Sequence, residues 1–511
     1  MQFFKKLIKS KALYLVASLI FQFLVLLILL TYFSHEFLPI YYLMVGLSVI
    51  VCVGVINRDS DTSSKILWVF VIMALPFFGG MMYLLFGGRK IPKALRIQDR
   101  QAYADYNLYT NERNRNLKEE DYEDPVLEKM TNMAWSNGKF ALYKNSKTRY
   151  FKTGEEQFEA IKQALKKAEH FIFIETYIID EGEMLDEILA ILEQKVAQGL
   201  DIRLIYDDFG SLLNVDHDFP DRMREKGIQC YTFNPIKPQL AIQMNNRDHR
   251  KIIVVDGKTA FTGGSNIADE YINKKKRFGY WKDMGMELKG HAVEMFTISF
   301  LQLWNYYAPT NTPYERFVLP PSAFAGDHSE GYVIPFSDSP TDENDTGKNM
   351  HLNMLSTARK FCWISTPYLI LDAVMESALI LAVNNGVDVR LVVPGIPDKK
   401  IVYQVTKSNY AHLLKKGVKI YEYKDGFIHG KVTLADDVQA LVGTVNMDFR
   451  SYYLNYECGI WGYKTEMIPA IHGDFEQIFK DSREITLADV KKVNPVVRYF
   501  RAFLKIFSPL M

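Results

Sequence analysis

Two histidine–lysine pairs are the residues of this chain whose types and spacing best suit chemistry on a phosphate. They belong to two copies of the pattern H-x-K-x4-D-x6-G-x-x-N, which are His249, Lys251, Asp256 and Gly263 to Asn266, then His429, Lys431, Asp436 and Gly443 to Asn446. One H-x-K-x4-D match is expected by chance at about 0.05 per chain of this length. Two complete copies with the same tail therefore indicate a functional site.

The spacing of each pair places both side chains within reach of one phosphate. Alternate residues of a β-strand point to the same face, so a histidine and a lysine two apart lie side by side. The apolar runs 252–255 and 432–435 continue each strand into a buried sheet, which places Asp256 and Asp436 at the turn that follows. Two histidines and two lysines supply a nucleophile, an acid and positive charge for phosphodiester chemistry. We therefore expect neither a metal nor a cofactor.

The two motifs occupy matching places in an internal repeat. Apolar runs at 171–174 and 361–364 each precede a helical pattern and then a second strand, at 202–206 and 389–393. Matching points lie about 180 to 190 residues apart, which is typical of a duplicated domain rather than of a solenoid. Strands that alternate with helices inside each copy predict an α/β sheet covered by helices.

Composition sets weaker limits on the number of domains and on the class of partner. A chain of 511 residues exceeds what one compact core usually holds, so two or three domains are expected. A net charge of +1 from 61 basic and 60 acidic residues argues against a protein that coats nucleic acid. The four cysteines form no C-x-x-C pair, so we interpret them as small buried apolar residues.

The first ninety residues contain three apolar runs, at 12–33, 37–56 and 66–86, each long enough to cross about 30 Å of hydrocarbon. The first run is too long for a signal peptide. Eleven Lys and Arg residues flank the runs, with none between the first and second. Two crossings and a third run that returns at Pro76, Gly79 and Gly80 would keep all eleven on one side, which favours a cytoplasmic catalytic region. An ordinary kinked third span remains the alternative.

These motifs resemble the phospholipase D superfamily, and smaller signatures resemble its bacterial cardiolipin synthases. The signatures are residues 65–87, 246–251, 281–283, 366–368, 443–457 and 508–510. The resemblance implies two phospholipase D-like α/β domains that form a pseudo-twofold pair, with one site at their interface, after an N-terminal helical transmembrane region. It also implies transfer of a phosphatidyl group from one phosphatidylglycerol to the hydroxyl of another, giving cardiolipin and glycerol through a phosphohistidine.

Five regions are predicted on this basis. They are a transmembrane region at 1–90, a charged linker at 91–134, a first phospholipase D-like domain at 135–310, a connecting loop at 311–350 and a second such domain at 351–511. We expect a multi-pass protein of the cell membrane. The basic and aromatic tail at 491–511 either lies on an anionic membrane surface or packs on the domain.

Each motif residue has an expected role. His249 is assigned as nucleophile and His429 as acid, while Lys251 and Lys431 bind the phosphoryl oxygens and Asp256 and Asp436 orient the site. The further substrate-binding candidates are Asn266, Asn446, Ser265, Thr444, Glu457 and Tyr177, with Glu175 beside them. Asp248 stands where the family often has Asn, and its charge is expected to raise the pKa of His249.

The expected partners are phosphatidylglycerol and cardiolipin in the membrane, with no nucleic acid. A membrane-bound hydrolase, a transphosphatidylase that uses another alcohol, a nuclease and an inactive scaffold are the rival readings. The oligomeric state, the lipid range and the choice of nucleophile stay open.

Overall fold

A computed structural model describes residues 38–58, 60–75, 78–87, 124–235, 246–341 and 344–511, together with the isolated helical positions Phe21, Leu24, Ile28 and Ile97. Apart from those positions, the first predicted apolar run and residues 91–123 of the predicted linker lie outside the described residues.

Most of the described chain folds into two mixed β-sheets with helices on their faces. The strands are β1 Tyr143–Lys144, β2 Lys147–Phe151, β3 Phe171–Thr176, β4 Asp201–Asp207, β5 Gln229–Phe233, β6 Arg247–Asp248, β7 Ile252–Val255, β8 Thr259–Gly263, β9 Tyr280–Lys282, β10 Gly285–Lys289, β11 Tyr332–Asp338, β12 Phe361–Ser365, β13 Asp388–Pro394, β14 Lys419–Tyr423, β15 Gly426–Ile428, β16 Lys431–Ala435, β17 Gln439–Gly443, β18 Asn455–Tyr463 and β19 Ser482–Ile485. The α-helices are α1 Leu38–Asn57, α2 Thr62–Ala74, α3 Phe78–Phe86, α4 Pro125–Gly138, α5 Gly154–Lys167, α6 Glu183–Ala197, α7 Phe219–Glu225, α8 Val293–Tyr307, α9 Thr346–Thr357, α10 Ala373–Asn384, α11 Lys400–Lys415, α12 Phe449–Tyr453, α13 Met467–Lys480, α14 Leu487–Lys491 and α15 Pro495–Lys505.

The two sheets share one strand order. The first sheet runs β2-β10-β8-β7-β3-β4-β5, and the second contains β11-β18-β17-β16-β12-β13-β14 in the corresponding places, with β1 and β19 added at its ends. In both sheets the strand that follows the histidine motif pairs antiparallel with the strand that opens the repeat. The predicted α/β duplication is confirmed.

Local sequence explains why the strands next to the motifs are buried on both sides. On one side of β3, α5 begins at the N-cap Thr153 and buries Phe158, Ile161 and Leu165. On the other side, the ring of Phe173 stacks on that of Phe300 from α8 at 4.5 Å. A strand covered on both faces consists of a continuous apolar run, as β3 and β7 do.

A helix that packs on the second sheet and one strand of that sheet overlap the segments predicted as linkers. Helix α4 begins in the predicted linker 91–134, and its Leu127, Met130 and Ala134 are buried in the core. Strand β11 lies in the predicted connecting loop 311–350 and pairs along its whole length with β18. The polar composition of both segments concealed short apolar stretches that long-range pairing buries.

The N-terminal apolar helices include a break in the third predicted run. Helix α2 ends at Ala74 and α3 begins at Phe78, so this run is not one continuous helix. A Cβ atom at Gly79 would lie 2.4 Å from the carbonyl oxygen of Val71, which shows how closely the two helices approach. Within the described ranges, no helix has both the length and the apolar character needed to cross a membrane.

Candidate active site

Each motif histidine directly follows a short strand that pairs with the other half of the chain, so it lies at the interface between the halves. Strand β6 runs parallel to the start of β18, and the amide of His249 donates to the carbonyl of Tyr456 at 2.9 Å. In the mirrored arrangement, β15 runs parallel to β9 and the amide of His429 donates to the carbonyl of Lys282 at 2.8 Å. Both imidazoles therefore enter a site that neither half forms alone.

A buried carboxylate from the opposite half holds each imidazole. Nδ1 of His249 lies 3.0 and 2.9 Å from the two carboxylate oxygens of Glu457. Nδ1 of His429 lies 2.8 Å from Oδ2 of Asp283. A carboxylate that accepts from Nδ1 fixes the ring orientation and the tautomer, so that Nε2 is the nitrogen left for chemistry.

The two motif lysines are buried beside the imidazoles. Nζ of Lys431 lies 2.9 Å from Nε2 of His429, and Nζ of Lys251 donates to the carbonyl of His249. Burial lowers the pKa of Lys431 to about 7, aided by Lys251 and opposed by Asp283. Burial also lowers the pKa of Lys251 to about 8, opposed by Glu457.

The charges of both lysines act on both histidines. Burial, then Lys251 and Lys431, lower the pKa of His249 well below its usual value. Burial and Lys431 lower the pKa of His429 to about 4, although Asp283 opposes the shift. Neutral imidazoles surrounded by ammonium groups form a site that favours an anion, such as a phosphodiester.

Glu457 and Asp283 make equivalent contacts with the two histidines, but their pKa values are shifted in opposite directions. Burial raises the pKa of Glu457 to about 7, although Lys251 and a hydroxyl donor, Thr444, oppose the rise. Burial also raises the pKa of Asp283, but His429 and Lys431 outweigh it, and that pKa lies below its usual value. Glu457 therefore retains a proton to higher pH than Asp283 does.

Comparison with known proteins decides the family. The family model described as "Cardiolipin synthase, PLD-like domain" matches residues 161–281 and 351–479, and the model "Phospholipase_D-nuclease N-terminal" matches residues 46–88. Cardiolipin synthase 2 of Bacillus anthracis is 34% identical over 89% of this chain and 88% of its own length. The chain belongs to the phospholipase D-like cardiolipin synthases. Membership of this family makes it an enzyme of the phosphatidyltransferase class.

Other relatives agree with this assignment. The cardiolipin synthase of Alkalihalophilus pseudofirmus is 33% identical over 96% of this chain and 99% of its own length. An uncharacterized protein of Streptococcus mutans is 42% identical over 89% of this chain and 98% of its own length. The crystal structure of phosphatidylserine synthase from Haemophilus influenzae has a TM-score of 0.57 at 13% identity and covers 75% of this chain and 100% of that one, which supports the fold alone.

In this cardiolipin synthase family member, Asp256 and Asp436 do not lie with the other motif residues. The carboxylate of Asp256 accepts from the amides of Glu169, His170 and Phe171 at 2.8, 2.8 and 2.9 Å. Asp436 accepts in the same way from the amides of residues 359–361. Each lies past the far end of the strand that follows its lysine, about 16 Å along the chain at 3.3 Å per residue. The orienting role in the active site predicted for them is wrong, because they hold the start of β3 and β12.

The remaining predicted residues have mixed positions. The ring of Tyr177 lies 5.1 Å from that of His249, so it lines the site. Asn266 accepts from the amide of Ile178 at 3.0 Å and donates to the hydroxyl of Tyr271 at 2.6 Å, so its amide supports the site rather than facing a phosphate. Ser265 Oγ and Asn446 Oδ1 are buried and have no hydrogen-bond partner among the described residues.

Two acidic candidates near the first motif belong to a buried ion cluster. Nε of Arg250 lies 2.7 Å from Glu175 and 3.0 Å from Asp248. The guanidinium compensates the charge of Asp248, which is the last residue of β6 before His249. The predicted rise in the pKa of His249 is wrong, since that pKa is lowered.

Asp283 contacts a motif histidine, but sequence reasoning assigned it no role in the site. The segment 281–283 carried the family resemblance without a role in the site. A usable signal was present, because Asp283 stands two residues before Gly285 and Glu457 stands two residues before Gly459. These glycines pair with Gly263 and Gly443, at equivalent places in the two sheets.

Proposed function

We propose that this chain is a cardiolipin synthase that moves the phosphatidyl group of one phosphatidylglycerol to the hydroxyl of a second and releases glycerol. The observation that carries the proposal is the crossed pairing of His249 with Glu457 and of His429 with Asp283. Such a site offers two oriented imidazoles to one phosphorus, which is what two successive displacements require.

In the first step Nε2 of His249 attacks phosphorus, and the bond to the glycerol oxygen breaks. Glu457 stabilises the positive charge that develops on the ring, while the ammonium groups of Lys251 and Lys431 hold the non-bridging oxygens. His429 donates its proton to the departing oxygen. Burial and, after it, the charge of the lysines lower the pKa of His429. An anionic phosphodiester between the lysines offsets the second of these causes, so substrate binding raises that pKa.

The second step reverses the roles around the phosphohistidine. The acceptor hydroxyl gives its proton to Nε2 of His429 and attacks phosphorus, which breaks the bond to His249. A second phosphatidylglycerol as acceptor yields cardiolipin, whereas water yields phosphatidic acid. Family membership favours the lipid acceptor.

The proposal includes attachment to the cell membrane through the N-terminal apolar segments, with the catalytic domains in the cytoplasm. Exposed apolar side chains on α1 and the positions of the eleven Lys and Arg residues support it. This topology is tested in intact cells with an impermeant reagent that labels cysteines introduced near residue 35 or near residue 60. Equal labelling of both positions would contradict two crossings.

The activity is tested with the full chain in detergent and phosphatidylglycerol. We expect cardiolipin and glycerol in equal amounts; phosphatidic acid as the sole lipid product would refute the transferase. To assign the histidines, a phosphatidyl donor with a nitrophenolate leaving group removes the need for an acid in the first step. We expect His429→Asn to release nitrophenolate in a burst and retain the phosphatidyl group, and His249→Asn to do neither. The exposed His328 offers the control variant His328→Asn, and the reverse pattern would exchange the two roles.

A further inference from the structure

The C-terminal helix α15 packs on the second domain by one face only. Leu504 packs against the cluster of Ile370, Val405 and Phe449, and Nε of Arg501 donates to Gln404 on α11 at 2.9 Å. Both contacts lie on the side of the helix that carries positions 497, 501 and 504. Within α15 only residues 501, 504 and 505 are partly buried, so packing on the domain covers one side of the helix near its C-terminal end.

A second face of α15 is an exposed apolar stripe. Val496, Tyr499, Phe500 and Phe503 follow the spacing i, i+3, i+4 and i+7, and they are 73%, 80%, 52% and 50% exposed. In the two domains before α15, the exposed large apolar side chains among the described residues are Phe209, Leu213, Val374, Leu381, Ile396, Ile401 and Leu487. A contiguous apolar stripe of this kind marks a contact surface.

The segment that carries this stripe also carries exposed cations, with Lys491 and Lys492 before the helix and Arg498 on its polar side. An amphipathic helix with aromatic residues on one face and cations elsewhere on the same segment suits the surface of an anionic bilayer, where rings enter the boundary of the acyl chains and cations meet lipid phosphates.

The position of α15 in the molecule points to the same partner. The turn Ser508–Leu510 that follows the helix contacts α2, one of the N-terminal apolar helices, and buries Ser508 and Pro509. Exposed apolar side chains continue on α2 at Ile66, Phe70 and Met73. The turn that follows the helix thus contacts the apolar helices of the chain.

We propose that α15 is a second membrane-contact element, which lies in the plane of an anionic phospholipid surface with the outward stripe inserted. Helix α15 packs along α11, which begins directly after Lys399. Nζ of Lys399 donates to the hydroxyl of Tyr368 at 3.2 Å, the ring of Tyr368 lies 6.4 Å from that of Phe427, and the ring of Phe427 lies 5.7 Å from that of His429. Contact of α15 with lipid therefore determines the orientation of the active site relative to the bilayer. This holds whichever alcohol accepts the phosphatidyl group.

The direct test places an environment-sensitive fluorophore on the full chain in vesicles. The four native cysteines are buried, so Tyr499→Cys can be labelled selectively, and Lys166→Cys on the exposed surface of α5 is the matched control. Vesicles contain phosphatidylcholine alone or with a third phosphatidylglycerol, plus a spin-labelled quencher lipid. We expect a blue shift and at least twofold quenching at position 499, stronger with phosphatidylglycerol, and neither at position 166. Equal water exposure at both positions, or a blue shift without quenching by lipid, would overturn the proposal; the second result would indicate a protein partner or a second copy.

The functional test compares two double variants at the same positions. Gln and Leu are both good helix formers, so F500Q/F503Q removes only the apolar surface and F500L/F503L retains it. For the Gln variant we expect at least a fivefold higher half-saturating lipid concentration on dilute vesicles with unchanged turnover at saturation, and wild-type behaviour for the Leu variant. Wild-type vesicle kinetics in F500Q/F503Q would refute the role of the stripe in presenting the site. An enzyme that makes phosphatidic acid instead of cardiolipin would still give the fluorescence result, so the two proposals fail separately.

Discussion

The substitution Glu457→Gln separates activity from stability in this site. Gln preserves the shape of the side chain and an oxygen that can accept from Nδ1 of His249, but it removes the negative charge. In the native site that charge lies 2.9 Å from a ring which becomes positive when Nε2 bonds to phosphorus. The variant should therefore destabilise the transition state and leave the fold intact.

The expected loss of rate has a lower and an upper bound. A hydrogen bond to a charged group contributes about 1.5–3 kcal/mol and a neutral one about 0.5–1.5 kcal/mol. Loss of the charge alone therefore raises the barrier by about 1–2 kcal/mol, which is about 5- to 30-fold in rate. Selection of the wrong tautomer adds to this, and the comparable change in a serine protease lowers kcat about 10⁴-fold. We expect kcat to fall at least about 10-fold and at most about 10⁴-fold.

The effect on stability has the opposite sign. Because burial raises the pKa of Glu457 from 4.5 to about 7, the folded chain retains a proton that the unfolded chain releases, and ionisation at higher pH costs the fold about 3 kcal/mol. This cost develops between pH 4.5 and about 7. Gln does not ionise, so the stability of the variant relative to wild type should rise through that window and level off above it.

Asp283→Asn is the matched control for this reasoning. The pKa of Asp283 is lowered, so its ionised form stabilises the fold above the ordinary range of a carboxyl group, and Asn should reduce the melting temperature at pH 7. Melting curves of both variants and wild type at pH 5 and pH 8, with turnover measured in parallel, check both signs. A Glu457→Gln variant that melts well below wild type at pH 8, or one with wild-type turnover, would refute this account of Glu457.

Three further outcomes are expected. Lys431→Met should lower kcat about 10²- to 10³-fold with little change in KM, because its ammonium acts most strongly on charge in the transition state; an increase in KM alone would contradict this. Asp256→Asn should lower the free energy of unfolding by about 2–3 kcal/mol, because three backbone amides lose a charged acceptor, while folded protein retains its turnover; a large fall in turnover with an unchanged melting temperature would restore a catalytic role. The value of kcat/KM should decline with rising pH as Lys431 and Lys251 lose protons near pH 7 and 8. The decline of kcat should occur at higher pH, because bound phosphate stabilises both ammonium groups. If kcat and kcat/KM declined at the same pH, the result would count against contact of the lysines with phosphate.

The sequence alone was enough to predict the duplication, the α/β class and the two His–Lys pairs. These features are local: a strand brings residues two apart to the same face, and a continuous apolar run marks a strand that helices cover on both sides. Pro76, Gly79 and Gly80 left open either a break or a kink in the third apolar run, and helix α2 ends at Ala74.

Only the tertiary structure decided which carboxylates serve the histidines. Glu457 lies 208 positions from His249 and Asp283 lies 146 positions from His429, and each pair forms only when β6 and β15 add to the opposite half. Asp256 and Asp436 belong to the same motifs in sequence, but an extended strand separates each of them from its lysine. Distance along a strand grows by about 3.3 Å per residue, whereas strand pairing brings remote residues within hydrogen-bond reach. Sequence spacing therefore predicted the pairs within each motif, and packing between the halves selected their partners.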